Sequence, residues 1–276
     1  MSKQIPLAGV IGDPVGHSKS PALFAHWLTR YGLAGHYVPL HVKPDDFEAV
    51  IRALPKAGFV GANVTIPHKE AALEIADKTT DRAIMIGAAN TLIFREDGTI
   101  YADNTDAYGF LTNLKQGAPK WDAKSGSAAV LGAGGAARAV IAALLEAGSE
   151  KILLSNRTKG KAETLRGVFG SKIDVVEWVD AAAAIDDADL IVNTTSLGMV
   201  GQPELRVPLD GLGPRHTVTD LVYAPLETGL LREARAADCV VVDGLGMLLH
   251  QAVPGFERWF GQRPDVTDAT RLAVLG

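Results

Sequence analysis

Short apolar runs alternate with amphipathic stretches along most of the chain. Ile5–Ile11, Tyr37–Val42 and Phe59–Val64 are mostly apolar and of strand length. Between the first two, Leu23, Phe24, Trp27 and Leu28 recur at helical spacing. Ser20 reads as the N-cap of that helix and Pro21 as its first helical position. A second helix starts at Pro44-Asp45 and carries Phe47, Val50, Ile51 and Leu54 inward; Pro67–Ala76 predicts a third. The segment is therefore β-α-β-α-β-α, with a sheet of its own. Thr91–Phe94 and Thr99–Tyr101 flank Asp97-Gly98, a hairpin signal. Ala107–Leu114 predicts a connecting helix, and the polar stretch Gly117–Gly126 a boundary.

The second half alternates more regularly. Strands are expected at Ala128–Leu131, Lys151–Ser155, Ile173–Glu177, Leu190–Asn193, Val218–Leu221 and Val240–Val242. Helices are expected at Ala136–Ala147, Gly160–Val168 and Thr228–Ala237, with a short one at Ala181–Ile185. Strand–helix alternation of this kind predicts a doubly wound parallel sheet. The tail from Gly246 is helical again, ends in Ala269–Leu275, and is expected to pack back on the first domain. The fold class is α/β, with boundaries at 1–106, 107–243 and 244–276.

Composition narrows the function classes. A chain of 276 residues with 47% hydrophobic content supports one large or two medium domains. A formal charge of −5 argues against a nucleic-acid surface, which would show a basic stripe. The single cysteine, Cys239, excludes internal disulfides and points to a reducing compartment, with the cytoplasm as the default location. It stands in CVVVD and reads as a buried apolar thiol. Residues 1–12 show no signal-peptide pattern, and no apolar stretch approaches membrane length. The seven histidines do not pair with other ligands at metal-binding spacing, so no metal is expected.

The densest signal is SAAVLGAGGAAR at 127–138. A charge-free run leads into Gly132, Gly134 and Ala137 at G-x-G-x-x-G/A spacing, and an Ala- and Leu-rich helix follows and stops at Gly148. Gly132 permits a tight turn out of the strand, and Gly134 lets a pyrophosphate approach the backbone. Ala137 is small enough for close helix–sheet packing. The N–H groups of Ala133, Gly135 and Ala136 stand at the start of the helix, where an anion is held. NAD sites usually carry Asp or Glu at the end of the next strand. Here that strand ends in Asn156-Arg157-Thr158. Arg157 suits a 2′-phosphate, Lys161 adds charge, and Thr158 can cap the helix between them. The reading favours NADP, against a plain exposed basic turn.

Oxidoreduction of an alcohol also needs a group that exchanges a proton with the substrate oxygen. Lys69 in NVTIPHK and Asp106 in DNTD lie beside strand ends where polar groups collect. On spacing alone each also reads as a solvated surface charge.

Nine stretches in one order carry a resemblance that covers nearly the whole chain. They are GDPVGHSKSP at 12–21, NVTIPHK at 63–69, GAANTL at 87–92, DNTDAYG at 103–109 and GAGGAAR at 132–138. NRT at 156–158, NTTSLGM at 193–199, DLVYAPLET at 220–228 and GLGMLLHQA at 244–252 follow. Together they resemble shikimate dehydrogenases, apart from Ala89 where valine is usual and Ala137 at the position of the third glycine. The resemblance implies reversible NADPH-dependent reduction of 3-dehydroshikimate to shikimate, on the route to chorismate and aromatic amino acids. It implies a first domain that binds substrate and carries the chemistry, a Rossmann-type NADP domain, and a cleft between them. Lys69 would be the acid/base group, and Asp106 would pair with it and hold the same hydroxyl. Ser18 and Ser20 would bind the substrate carboxylate, Thr65, Asn90 and Gln251 the ring hydroxyls, and Tyr223 would line the pocket. Thr194, Ser196, Met199, Leu221, Gly244 and Met247 would meet the cofactor, Met199 on the nicotinamide side.

The residues fit that picture, because a small carboxylated polyol needs many short hydrogen-bonding side chains. Ser18 and Ser20 at a helix start suit a carboxylate, although Ser20 also reads as a plain N-cap. Asn63, Thr65 and Asn90 also read as turn formers, Gln251 as an exposed helical residue, and Tyr223 and Met247 as core or pocket wall. Two rivals remain open. An NAD-using quinate/shikimate dehydrogenase is opposed by Arg157 and by Ser20, where the resemblance makes threonine commoner in quinate users. A non-catalytic sensor on the same fold is opposed by the presence of Lys69 and Asp106. The resemblance leaves a homodimer open, and it gives no nucleic-acid or membrane partner.

Overall fold

The computed structural model describes residues 5–276. The chain divides into two compact units. The first comprises the chain up to Thr105 together with Leu248–Gly276, and the second is Asp106–Met247.

The first unit begins with β1 (Leu7–Gly12), α1 (Ser20–Arg30), β2 (His36–His41), α2 (Phe47–Ala53), β3 (Phe59–Val64) and α3 (Lys69–Glu74). It continues with β4 (Lys78–Thr79), α4 (Asp81–Ile86), β5 (Thr91–Phe94) and β6 (Ile100–Asp103). The sheet order is β2-β1-β3-β5-β6-β4. β1, β2 and β3 run parallel, whereas β5 is antiparallel to β3 and β6 antiparallel to β5. The chain goes from β1 to one neighbour and returns to the other. The carboxyl ends of β1 and β3 thus form a topological switch point, where α/β sheets place ligands. Because β5 reverses, its first residue, Thr91, lies opposite Asn63 near the end of β3 and opposite Asp103 at the end of β6. Loops 12–20, 64–69, 88–91 and 103–105 therefore share one edge of the sheet.

The second unit holds α5 (Asp106–Gly117), β7 (Ala128–Leu131), α6 (Gly135–Ala147), β8 (Ile152–Ser155), α7 (Lys159–Phe169) and β9 (Ile173–Val176). Then come α8 (Ala181–Asp187), β10 (Leu190–Asn193), β11 (Thr217–Asp220), α9 (Gly229–Ala236) and β12 (Val240–Val242). All six strands are parallel, in the order β9-β8-β7-β10-β11-β12. Counted within the unit this is 3-2-1-4-5-6, the dinucleotide-binding order, with its switch point between β7 and β10. The strands are short, and Ala128–Leu131, Ile152–Ser155 and Leu190–Asn193 are buried throughout. That is why they read as unbroken apolar runs rather than alternating ones.

The last helices are α10 (Leu245–Phe260) and α11 (Asp268–Leu275). From Leu248 onward the tail belongs to the first unit. Phe256, Trp259 and Phe260 close around Phe24, which stacks on Tyr37 with ring centres 3.7 Å apart. The Trp259 indole N–H donates to the Leu92 carbonyl at 3.2 Å. A side chain at Gly61 would collide with that indole, so β3 is bare where the tail crosses it. Arg30 donates to the Thr267 hydroxyl at 3.0 Å, and Asp265 N–H donates to the Tyr31 hydroxyl at 2.9 Å.

Three local expectations are corrected. Lys19, not Ser20, occupies the N-cap of α1; Ser20 is inside the helix, and the Ser18 hydroxyl accepts from the Ser20 N–H at 3.3 Å. The chain preceding the helix is already turning at Lys19, whose backbone is helical, and this moves the cap outward by one residue. Thr158 does stand at the N-cap of α7, but its side chain makes no capping bond. The first sheet is also mixed, and β4 and α4 add to the expected elements. Helix α4 is a single Thr-capped, Gly-terminated unit, with Thr80 accepting from Ala83 N–H and Gly87 left-handed.

Candidate active site

On the first unit, the shared sheet edge gathers most of the expected substrate residues. Ser18 and Thr65 are half-buried in the loops after β1 and β3, and Lys69, also half-buried, opens α3. Asn90 is buried just before β5. Its side-chain oxygen accepts from the Thr105 N–H at 2.8 Å and the Thr91 hydroxyl at 3.0 Å. Its amide nitrogen donates to Gln251 Oε1 at 3.3 Å, and Gln251 in turn donates to the Leu248 carbonyl at 3.0 Å. With its oxygen committed to the fold, Asn90 can serve a ligand only as a donor.

Behind this edge runs a buried chain of hydrogen bonds that sequence reading does not find. The Tyr37 hydroxyl donates to Asn63 Oδ1 at 2.7 Å. The Asn63 amide donates to the Asn90 carbonyl and to the Thr91 hydroxyl, both at 3.2 Å. The buried Ser20 side chain bonds the Tyr37 oxygen, while burial raises the phenol's pKa well above its ordinary value. Tyr37 escapes notice because on a strand it reads as one more inward aromatic. Asp103 is a further member of the edge: it accepts from Thr80 at 2.8 Å and from the Asn104 N–H at 2.8 Å, and pairs with Arg258 at 3.3 Å.

On the second unit, six parallel strands bring six loops to one edge. Gly132 is left-handed (φ +108°), and a Cβ there would lie 2.6 Å from Thr194 Oγ1. Thr194 is held by donating to the Leu131 carbonyl at 2.7 Å, so this glycine is demanded by the meeting of β7 and β10. Gly134 and Gly135 instead face open space. The first turn of α6 has no side-chain cap, so its N–H groups remain available for an anion. Ala136 is exposed there and Ala137 is fully buried. Asn156 accepts from the Ala133 N–H at 3.1 Å and donates to the Thr158 carbonyl at 2.8 Å, tying the glycine loop to the tip of β8.

Arg157 and Lys161 are exposed on that tip. The nearby carboxylate of Glu177 is engaged by Lys159 at 2.5 Å. Ser196 and Met199 are exposed in the loop after β10. Gly244 passes against the end of β11: a Cβ there would lie 2.5 Å from the Leu221 carbonyl. Asp220 holds the same region together, accepting from Asn193 at 2.9 Å, Val222 N–H at 3.0 Å and Thr228 at 2.7 Å. Its burial raises its pKa in spite of those three donors. Tyr223 and Met247 are half-buried, and Asp106 is buried at the start of α5.

Comparison with known proteins settles the family. Residues 10–92 match the shikimate dehydrogenase substrate binding domain, 115–200 the shikimate / quinate 5-dehydrogenase domain, and 244–274 the shikimate 5′-dehydrogenase C-terminal domain. The chain belongs to the shikimate dehydrogenase family. It is 66% identical, over 99% of both chains, to a protein of Ruegeria sp. (strain TM1040) named shikimate dehydrogenase (NADP(+)). It is 38% identical to the Thermus thermophilus shikimate 5-dehydrogenase solved with NADP(H) and shikimate, with a TM-score of 0.87 over 98% of both chains. It is 32% identical to a quinate dehydrogenase from Corynebacterium glutamicum solved with NAD, with a TM-score of 0.91 over 98% of both chains.

The residues present fit a 2′-phosphorylated dinucleotide. A family cradle for the pyrophosphate needs a Cβ-free turn and unclaimed N–H groups, and both are there. No acid stands at the tip of β8 to repel a 2′-phosphate, and Arg157 is there instead. Among the described residues no helix is long and apolar enough to cross a membrane.

Proposed function

We propose that this enzyme reduces 3-dehydroshikimate to shikimate reversibly with NADPH, using Lys69 and Asp106. One arrangement carries the reading: Ser18, Ser20, Thr65, Lys69, Asn90 and Gln251 come from four chain segments of the first unit, and three of those segments meet at a single sheet edge. A ring bearing a carboxylate and several hydroxyls needs such a set of short partners.

When bound, the nicotinamide supplies the hydride. Ser18 and Ser20, at the positive end of α1, hold the carboxylate, the Ser20 hydroxyl turning from Tyr37 to do so. Thr65, Asn90 and Gln251 take ring hydroxyls, with Asn90 donating. The Lys69 ammonium donates a proton to the ketone oxygen as hydride arrives at carbon, and takes it back in the reverse direction. Asp106 accepts from the hydroxyl so formed, and Tyr223 shields the ring. Gly132 to Ala136 carry the pyrophosphate, and Asn156, Arg157, Thr158 and Lys161 the 2′-phosphate. Thr194, Ser196, Met199, Leu221, Gly244 and Met247 position the rest of the cofactor.

Nicotinamide absorbance, followed with shikimate and with quinate against NADP+ and NAD+, tests the whole reading. Shikimate with NADP+ is expected to dominate. Faster oxidation of quinate, or equal use of NAD+, overturns it. The same reading places the enzyme in the cytoplasm. Light scattering on the purified protein decides between monomer and homodimer.

A further inference from the structure

Beyond the residues assigned so far, the second unit carries a cavity of about 660 Å³ over the ends of β8, β9 and β10. Its walls include Arg157, Trp178, Ser196, Glu204 and Arg206. The size is within the ordinary range for small-ligand pockets. Arg206 reaches it for a simple reason. Along 204–209 exposed and inward residues alternate. Leu205, Val207 and Leu209 pack on the core formed by Leu131, Ile185, Ile191 and Val218, so Glu204 and Arg206 face the other way.

Two guanidinium-bearing residues thus line one cavity. Neither Arg157 nor Arg206 forms an ion pair with another described residue, even though Glu204 lines the same space. Like charges gathered without a counterion repel, and a bound anion removes that cost. Trp178 lines the same cavity and brings an aromatic ring that suits a purine.

We propose that Arg206 is a second 2′-phosphate ligand, acting with Arg157, and that Trp178 backs the adenine ring. Arg206 therefore helps set the preference for NADP over NAD. This rests on the NADP reading above. It adds to that reading a determinant from the loop after β10, which lies some 50 positions along the chain from Arg157. Glu204 works against it, so the site is not tuned to its tightest.

Calorimetric titration with adenosine 2′,5′-bisphosphate and with ADP tests this without turnover. Arg206→Gln is expected to weaken the 2′-phosphorylated ligand about tenfold and leave ADP within about twofold. Glu204→Gln is expected to tighten the 2′-phosphorylated ligand alone, and Trp178→Ala to weaken both. Unchanged binding in Arg206→Gln, or equal loss of both ligands, overturns the proposal. If Arg157→Gln abolishes the preference while Arg206→Gln keeps it, the proposal fails and the NADP reading stands. If the unaltered protein itself shows no preference for the 2′-phosphate, both fail together.

Discussion

The Tyr37 hydroxyl donates to the Asn63 carboxamide across 2.7 Å, in a place where neither group meets solvent. Asn63 is thereby fixed to offer its amide to the Asn90 carbonyl and the Thr91 hydroxyl. A strand on the outer edge of the first sheet thus sets the orientation of the residues expected to read ring hydroxyls.

Tyr37→Phe removes that donor and leaves Asn63 Oδ1 buried without its partner. Stability is expected to fall by about 1–3 kcal/mol in urea titration. The KM for shikimate should rise several-fold, because Ser20 and Asn90 both lose restraint, while kcat is largely kept. An unaltered KM would confine Tyr37 to a packing role.

Lys69→Ala should lower kcat by about 10²–10⁴, the usual contribution of a positioned acid or base. Shikimate affinity should change little, as read by fluorescence titration. Asp106→Asn should also depress kcat. Ordinary rates in either variant would remove that residue from the proposed chemistry.

Gly132→Ala places a methyl group 2.6 Å from Thr194 Oγ1 at a backbone angle of φ +108°. The strain and overlap should cost about 2–4 kcal/mol. NADPH binding should weaken in parallel, because the turn that presents the α6 N–H groups must shift. Gly134→Ala meets no protein atom, so it should cost little stability yet still weaken NADPH. Equal stability loss in both variants would contradict this account.

His250 is held in its neutral form: burial first, then the nearby Arg271 charge, push its pKa down to about 4. Unfolded, the same imidazole titrates near 6.5. Below that value the unfolded chain takes up a proton that the native protein refuses. Stability from this group is therefore complete above about pH 6.5 and is lost as pH falls toward 4. The loss approaches about 3 kcal/mol. Urea midpoints at pH 7 and pH 5 measure it, and His250→Asn should flatten the difference.

Much of the second unit is legible in the sequence because its central strands are buried on both faces. Ala128–Leu131, Leu190–Asn193 and Val240–Val242 have the limits their apolar runs indicate. The cofactor cradle is legible for a related reason, since glycine spacing reports backbone geometry directly. The first unit is harder. Its sheet turns mixed at β5, and a six-residue helix such as α4 is too short to show a period. Ser20 falls one position from its expected place because Ser-Pro satisfies two registers of a helix start equally well. The Tyr37–Asn63 bond is hidden because its partners are 26 residues apart on different strands, and local pattern holds no record of such pairs.

The first unit is discontinuous in the chain, and Trp259, filling the bare stretch of β3 at Gly61, belongs to its last piece. On a ribosome, the nucleotide-binding segment is finished and able to fold while the earlier sheet still lacks this plug and Gln251. A nascent chain released before its final helices would keep a nucleotide cradle and have nothing complete to reduce with it.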